Sequence, residues 1–141
     1  MSAVLDAGAV VELLLRRGFD GPVRREIERA SHEVRSPELL DVEVLSVFRR
    51  LSGHDVISQD DASRAVRTMR RVPIQRVAHR ALAARIWDLR GRLTSYDAAY
   101  LATAERPGRD GRPATLVTTD ARFGRTVRSI GSVQVVVIPV A

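Results

Sequence analysis

The chain contains no cysteine and no lysine, and only 4% of its residues are aromatic. Without cysteine, disulfide frameworks, zinc–thiolate sites and thiol nucleophiles are excluded, and a reducing cytoplasm is compatible with the sequence. Walker-type phosphate binding, Schiff-base chemistry and phosphoaspartate chemistry each use a lysine amine, so the absence of lysine disfavours all three.

Long apolar runs are also missing. No segment reaches the about 18 consecutive apolar residues that a membrane span needs. The first 15 residues begin without a basic side chain and carry Asp6 and Glu12, which is unlike a signal peptide. We therefore expect neither a membrane span nor a signal peptide, and we expect a cytoplasmic protein.

The remaining composition is that of an ordinary globular domain. The 141 residues are 45% hydrophobic and 28% charged, so we expect one domain covering residues 1–141. All 23 basic residues are arginine against 17 acidic residues, which gives a net charge of +6. A GC-rich genome would explain the choice of arginine but not this excess. The charge favours a polyanionic partner, with nucleic acid first and an acidic protein second.

Short apolar runs alternate with stretches of helical periodicity. Residues 4–5, 33–35, 74–77, 115–118 and 133–138 predict strands, the last of them buried on both faces. Helices are predicted at residues 7–17, 23–30, 38–51, 60–72, 80–89, 96–105 and 120–128. This alternation predicts an α/β fold with helices on both faces of a mostly parallel sheet.

Four acidic residues lie where such a sheet places its ligands. Asp6 ends the first strand and Asp120 follows the strand at 115–118, so both should face the same rim. Asp97 lies in the first turn of its helix, and Glu43 lies on the apolar side of helix 38–51. Clustered carboxylates without histidine or cysteine suit a hard divalent cation, which activates water for attack on a phosphodiester.

Each acid also has an ordinary structural explanation. Asp120 could cap the helix that follows it, and Asp97 could complete a capping box. The acid at the end of the first strand could be solvated, and Glu43 could pair with Arg50 or Arg24. A Ser-His-Asp site is disfavoured because the three histidines are predicted at surface positions.

Four segments together resemble a known family. They are VLDAG at residues 4–8, residues 37–50 around Glu43, SYDAAYLA at 95–102 and LVTTDARF at 116–123. Their order and spacing, which span nearly the whole chain, resemble those of PIN-domain ribonucleases of the VapC type, the toxins of bacterial toxin–antitoxin pairs.

The resemblance implies a three-layer α/β/α domain with about five strands. It implies a Mg²⁺-dependent endoribonuclease, with Mn²⁺ as the alternative ion, whose metal pocket is formed by the residues Asp6, Glu43, Asp97 and Asp120. Thr118 matches a hydroxyl near that pocket. Gly8 stands where many relatives have serine, so we expect a hydroxyl to be lost there. No further acid follows the last of the four, which argues against a second metal site.

The same resemblance implies partners. RNA is the expected substrate, and a cognate VapB-type antitoxin is expected to lie on the outer side of helices 38–51 and 60–72. A homodimer is expected because two-fold assembly is the commonest oligomeric state. Six arginines that follow the acid-bearing elements are candidates for holding phosphates: Arg16, Arg17, Arg49, Arg50, Arg122 and Arg125.

Two alternative functions remain open, and a third is disfavoured. A PIN nuclease could process RNA without being a toxin, or an inactive PIN-like module could bind RNA or protein. A structure-specific DNA nuclease is disfavoured, because this chain has no room for the extra helices that thread DNA.

Overall fold

The structure, a computed structural model, describes residues 1–15 and 21–140. In chain order its elements are β1 (Ala3–Leu5), α1 (Ala7–Leu15), α2 (Pro22–Arg29), β2 (Val34–Pro37), α3 (Leu39–Gly53), α4 (Gln59–Met69), β3 (Gln75–Val77), α5 (His79–Asp88), α6 (Ser95–Glu105), β4 (Thr115–Thr118), α7 (Ala121–Ile130) and β5 (Val135–Val137). None of the helices in these residues is long and apolar enough to cross a membrane.

The five strands form one parallel sheet in the order β3-β2-β1-β4-β5. Strand β1 is central, with Leu5 opposite Val117 of β4 and Val4 opposite Arg35 of β2. The chain moves outward from β1 to β3, crosses back to β4 and then continues to β5. Right-handed crossovers therefore put α1–α4 on one face and α5–α7 on the other. The expected three-layer α/β fold with about five strands is confirmed.

The core lies on both faces of the central strands. All three residues of β1 are buried, and Leu116 and Val117 of β4 have no solvent exposure. Helix α6 packs against β1, β2 and β4, and every residue from Ala98 to Ala104 is buried. Its many alanines allow this helix to approach the sheet closely. Residues at the ends of α6, β1 and β4 are therefore held on a rigid support.

Two helices begin at hydroxyl side chains that cap them. The Ser58 hydroxyl accepts a hydrogen bond from Asp61 N at 3.0 Å and begins α4. The Thr94 hydroxyl accepts one from Asp97 N at 3.2 Å and begins α6. Each bond satisfies a backbone N–H that has no partner inside its helix.

Other details differ from the sequence predictions. Strand β5 is half-buried rather than buried on both faces, because it is the edge strand and has only one neighbour. Strand β2 ends at Pro37 instead of residue 35, and α4 ends at Met69 instead of continuing to residue 72. The predicted end of the first helix, at residues 16–18, lies outside the described residues.

Candidate active site

Asp6 follows β1 directly and is the most buried of the four acids, with 9% of its surface exposed. Its Oδ1 accepts a hydrogen bond from Ala9 N at 2.8 Å, which caps α1, and its Oδ2 accepts one from the Thr118 hydroxyl. Burial raises the pKa of Asp6 to about 6, and the charges of Asp97 and Asp120 act in the same direction. The two hydrogen bonds oppose this increase only in part.

The end of β4 places Asp120 beside this carboxylate. Thr118 is completely buried, and its Oγ1 accepts a hydrogen bond from Asp120 N at 3.0 Å. Asp120 Oδ1 in turn accepts one from Phe123 N at 3.1 Å and caps α7. Asp120 therefore has the structural role considered for it, while its charge also acts on Asp6.

Asp97 lies at the same rim, on α6, which belongs to the helical layer on the other side of the sheet from α1–α4. In the cap of α6, Asp97 donates its backbone N–H to Thr94 Oγ1, so this hydrogen bond does not involve the side-chain carboxylate. Burial raises the pKa of Asp97, and the charge of Asp120 raises it further. The hydrogen bond to Thr94 Oγ1 is one half of the capping box considered for this residue. The role of the Asp97 side chain in a metal site remains a prediction.

Glu43 on α3 accepts a hydrogen bond at its Oε2 from the hydroxyl of Tyr100, at 3.4 Å. Burial raises the pKa of Glu43, and the charge of Asp97 adds to this effect. The pKa of Tyr100 is also raised, by its own burial and then by the charges of Glu43, Asp6 and Asp97. Tyr100 therefore lies among three of the four acids. Its signal in the sequence is its position three residues after Asp97, on the same face of α6.

The structure thus brings the four predicted acids to one rim, at the carboxyl ends of β1 and β4. This is where the chain reverses its direction across the sheet, the usual ligand position in such folds. As the side chains stand, no three acidic or histidine residues in the described part of the chain are close enough to share a metal ion. The four acids nevertheless offer only oxygen atoms as metal ligands. A hard divalent cation relieves the repulsion between their negative charges.

A second hydroxyl lies beside Asp6. A Cβ built on Gly8 would overlap the side-chain oxygen of Thr119 and would lie 3.5 Å from Asp6 Oδ1. The φ angle of Gly8 is not among the positive ones, so glycine is needed here for space and not for backbone conformation. The hydroxyl that position 8 lacks is therefore matched by one from Thr119.

Four of the six candidate arginines lie in the part of the chain that the structure describes. Arg49 and Arg50 on α3 and Arg122 and Arg125 on α7 are exposed, whereas the pair at residues 16–17 lies outside the described part of the chain.

A fifth acid, on α3, pairs with an arginine of the neighbouring strand. Asp41 accepts two hydrogen bonds from the Arg76 guanidinium, both at 2.8 Å, which join α3 to β3. Hydrogen bonding to Arg76 lowers the pKa of Asp41, the opposite direction to the acids at the rim.

Comparison with known proteins agrees with this architecture. Residues 3–128 match the family model described as PIN domain. The chain is 37% identical over 123 residues to VapC ribonuclease Mb0985 of Mycobacterium bovis, covering 87% of this chain and 89% of that protein. It is 31% identical over 123 residues to Ribonuclease VapC12 of Mycobacterium tuberculosis, covering 87% and 90%. Ribonuclease VapC1 of the same species is 36% identical over 102 residues, covering 72% and 76%. The chain therefore belongs to the PIN-domain family, in the branch of the VapC ribonucleases.

Proposed function

We propose that the protein is a divalent-metal-dependent endoribonuclease that acts as the toxin of a VapBC-type pair, with Asp6, Glu43, Asp97 and Asp120 as its catalytic acids. The observation that carries this proposal is the convergence of the four carboxylates, which come from four separate elements. The relatives that cover most of the chain are named as ribonucleases. The excess of arginine suits a substrate with a phosphate backbone.

Asp6 and Asp97 would be the main ligands of the cation, and Glu43 and Asp120 would complete its surroundings through water. When bound, Mg²⁺ or Mn²⁺ supplies Lewis acidity and neutralises charge on the phosphodiester. In the described residues no three acidic side chains are grouped closely enough to hold an ion together, so the proposed site would require side chains to rearrange on binding.

Other side chains of the protein would orient the acids, and two of the acids would orient the attacking water. The Thr118 hydroxyl fixes Asp6 Oδ2, and the Tyr100 hydroxyl fixes Glu43 Oε2, so both carboxylates are oriented by buried donors. Glu43 and Asp120 would orient the water that attacks the phosphorus. The raised pKa of Glu43 makes it a better proton acceptor than an ordinary glutamate.

The proposed partners follow from the same assignment. A VapB-type antitoxin would cover the outer side of α3 and α4, where Val42 and Leu45 of α3 are exposed apolar residues. A homodimer is proposed as well, in the cytoplasm.

The test of the proposed activity is cleavage of a labelled single-stranded RNA by purified protein. We expect cleavage with Mg²⁺ or Mn²⁺, loss of cleavage in excess EDTA, and loss of most activity in Asp97→Asn. Asp61→Asn is the matched control, because Asp61 occupies the same capping position in α4, remote in sequence from the four acids. Cleavage that persists in EDTA, or equal activity of the two variants, contradicts the proposal.

The toxin role has its own test. Expression of the wild-type protein alone should arrest growth of its host, and co-expression of the product of the adjacent gene should relieve the arrest. A protein that is harmless at high expression and captures no small partner would be a housekeeping RNA-processing nuclease instead.

A further inference from the structure

Two large aromatic side chains are exposed where α5 ends and α6 begins. Trp87, in the last turn of α5, is 66% exposed, and Tyr96, in the first turn of α6, is 62% exposed. The two helices pack against each other, and residues 89–94 connect them. In a chain with one tryptophan and two tyrosines, leaving both of these rings in solvent forgoes favourable burial, which is typical of an interaction surface.

Arginine side chains accompany the exposed tryptophan. The Arg90 guanidinium lies over the Trp87 ring, 4.4 Å from its centroid, and Arg90 Nη1 donates a hydrogen bond to Trp87 O at 2.9 Å. Arg92 follows in the connection and donates to the Ser129 hydroxyl at 2.8 Å. The end of α5 and the connection to α6 therefore place a flat aromatic ring close to planar guanidinium groups. An aromatic ring can stack on a base, and a guanidinium group can bind a phosphate.

Tyr96 lies next to an acid of the candidate active site, because it immediately precedes Asp97 in α6. It also lies one helical turn before Tyr100, about 6 Å along the helix axis. A strand bound at the acids would therefore reach the first turn of α6, which carries both Asp97 and Tyr96.

We propose that Trp87 and Tyr96 form a stacking platform for unpaired bases of the RNA substrate, on the α5–α6 side of the carboxylates. This proposal rests on the proposed ribonuclease function. Single-stranded RNA is the occupant that fits, because every unpaired base offers a face to stack while Arg90 and the net charge of +6 attract the backbone. A duplex hides its base faces and would gain only the charge attraction. The platform would thus select unpaired nucleotides beside the cleaved phosphate.

Trp87 is the only tryptophan, so its fluorescence reports on this surface alone. The full-length Asp97→Asn protein is titrated with a single-stranded oligonucleotide and with the same sequence as a blunt duplex. We expect saturable quenching by the single strand, and at least about tenfold weaker apparent binding of the duplex. Unchanged emission while fluorescence anisotropy shows the labelled RNA to be bound overturns the proposal. So does emission that changes with protein concentration but not with RNA, because the surface then joins two copies of the chain.

Substitutions separate stacking from charge. By anisotropy, Tyr96→Ala and Trp87→Ala should each weaken RNA binding about 5- to 150-fold, the usual range for loss of one stacked base, and Trp87→Phe should recover much of the loss. Val56→Ala is the control, since Val56 is 66% exposed in the connection between α3 and α4. Equal binding by all of these variants overturns the proposal.

The outcomes also separate the platform from the proposed function. In cleavage assays of proteins that retain Asp97, the aromatic variants should raise KM with a smaller effect on kcat. If the wild-type protein does not cleave RNA but the quenching and the Tyr96→Ala effect persist, the platform stands and the nuclease proposal fails. If the wild-type protein cleaves RNA and KM is unchanged in both aromatic variants, the platform fails alone.

Discussion

Replacing Asp6 by asparagine is expected to remove the activity and to abolish a loss of folding stability that the wild type shows as the pH rises towards neutrality. Asparagine has nearly the same shape, and its Oδ1 can keep the hydrogen bond from Ala9 N. The Thr118 hydroxyl already accepts from Asp120 N and has a second lone pair for the asparagine amide. The substitution therefore removes a buried charge without leaving a cavity. The buried Thr118 O–H loses Asp6 Oδ2 as its acceptor, which costs about 1–3 kcal/mol at every pH.

The size of the effect follows from the pKa of Asp6. Burial raises this pKa from the ordinary 3.8 to about 6. At 1.36 kcal/mol for each unit of pKa, ionising the folded carboxyl group costs about 3 kcal/mol at neutral pH. Since the folded pKa is the higher one, the unfolded chain loses its proton first. The free energy of unfolding of the wild type therefore falls as the pH rises from about 4 to about 6, and this contribution is absent in the variant.

Denaturation in urea with EDTA present, from pH 4 to pH 7.5, measures this difference. Between pH 4 and pH 7 we expect the Asp6→Asn protein to gain about 3 kcal/mol of stability relative to the wild type, so that it is the less stable protein near pH 4 and equal or more stable above pH 6. Asp41→Asn is the control of opposite sign, because Arg76 lowers the pKa of Asp41. Its destabilisation should be nearly constant from pH 7.5 to pH 5, because the carboxyl group is ionised in the folded and the unfolded chain over this range, and should begin to fade only near pH 4. A stability difference between Asp6→Asn and the wild type that does not change with pH would show that burial does not raise the pKa of Asp6.

Two further predictions concern the groups around the acids. Gly8→Ala should destabilise the protein by about 1 kcal/mol, because the new Cβ overlaps Thr119 Oγ1 and this hydroxyl must rotate away. The cost stays small because Thr119 Cβ is at an ordinary distance of 3.5 Å and a helix favours alanine over glycine. Adding Thr119→Ala should recover most of this loss, and a strictly additive double-mutant cycle by thermal unfolding would contradict the contact. Tyr100→Phe removes the hydroxyl that orients Glu43 and should lower kcat about tenfold, or about 1.4 kcal/mol, with little change in Tm. An unchanged kcat would show that Glu43 does not depend on this bond.

Much of the fold could be predicted because its signals are local. The caps at Ser58 and Thr94 and the alternation of strands and helices depend on neighbouring residues, so periodicity and capping chemistry identify them. The rule that parallel strands carry ligands at their carboxyl ends then placed Asp6 and Asp120 on one rim. The catalytic and metal-binding roles of these acids remain predictions.

The remaining features depend on contacts between distant parts of the chain. The half-buried state of β5 follows from its place at the edge of the sheet, and local sequence does not specify strand order. The Glu43–Tyr100 bond joins side chains 57 positions apart, and the Asp41–Arg76 pair joins side chains 35 positions apart. Sequence periodicity predicts which face such residues occupy, but not which partner they meet there.

Anomalous diffraction from crystals grown with Mn²⁺ tests whether the four carboxylates form one metal site. We expect an anomalous peak at the carboxyl ends of β1 and β4, bounded by oxygens of Asp6 and Asp97, with Glu43 and Asp120 facing it. The same crystals of Asp97→Asn should lose most of that peak. Wild-type crystals with saturating Mn²⁺ and no peak at this rim, or with the ion held by other residues, would contradict the account.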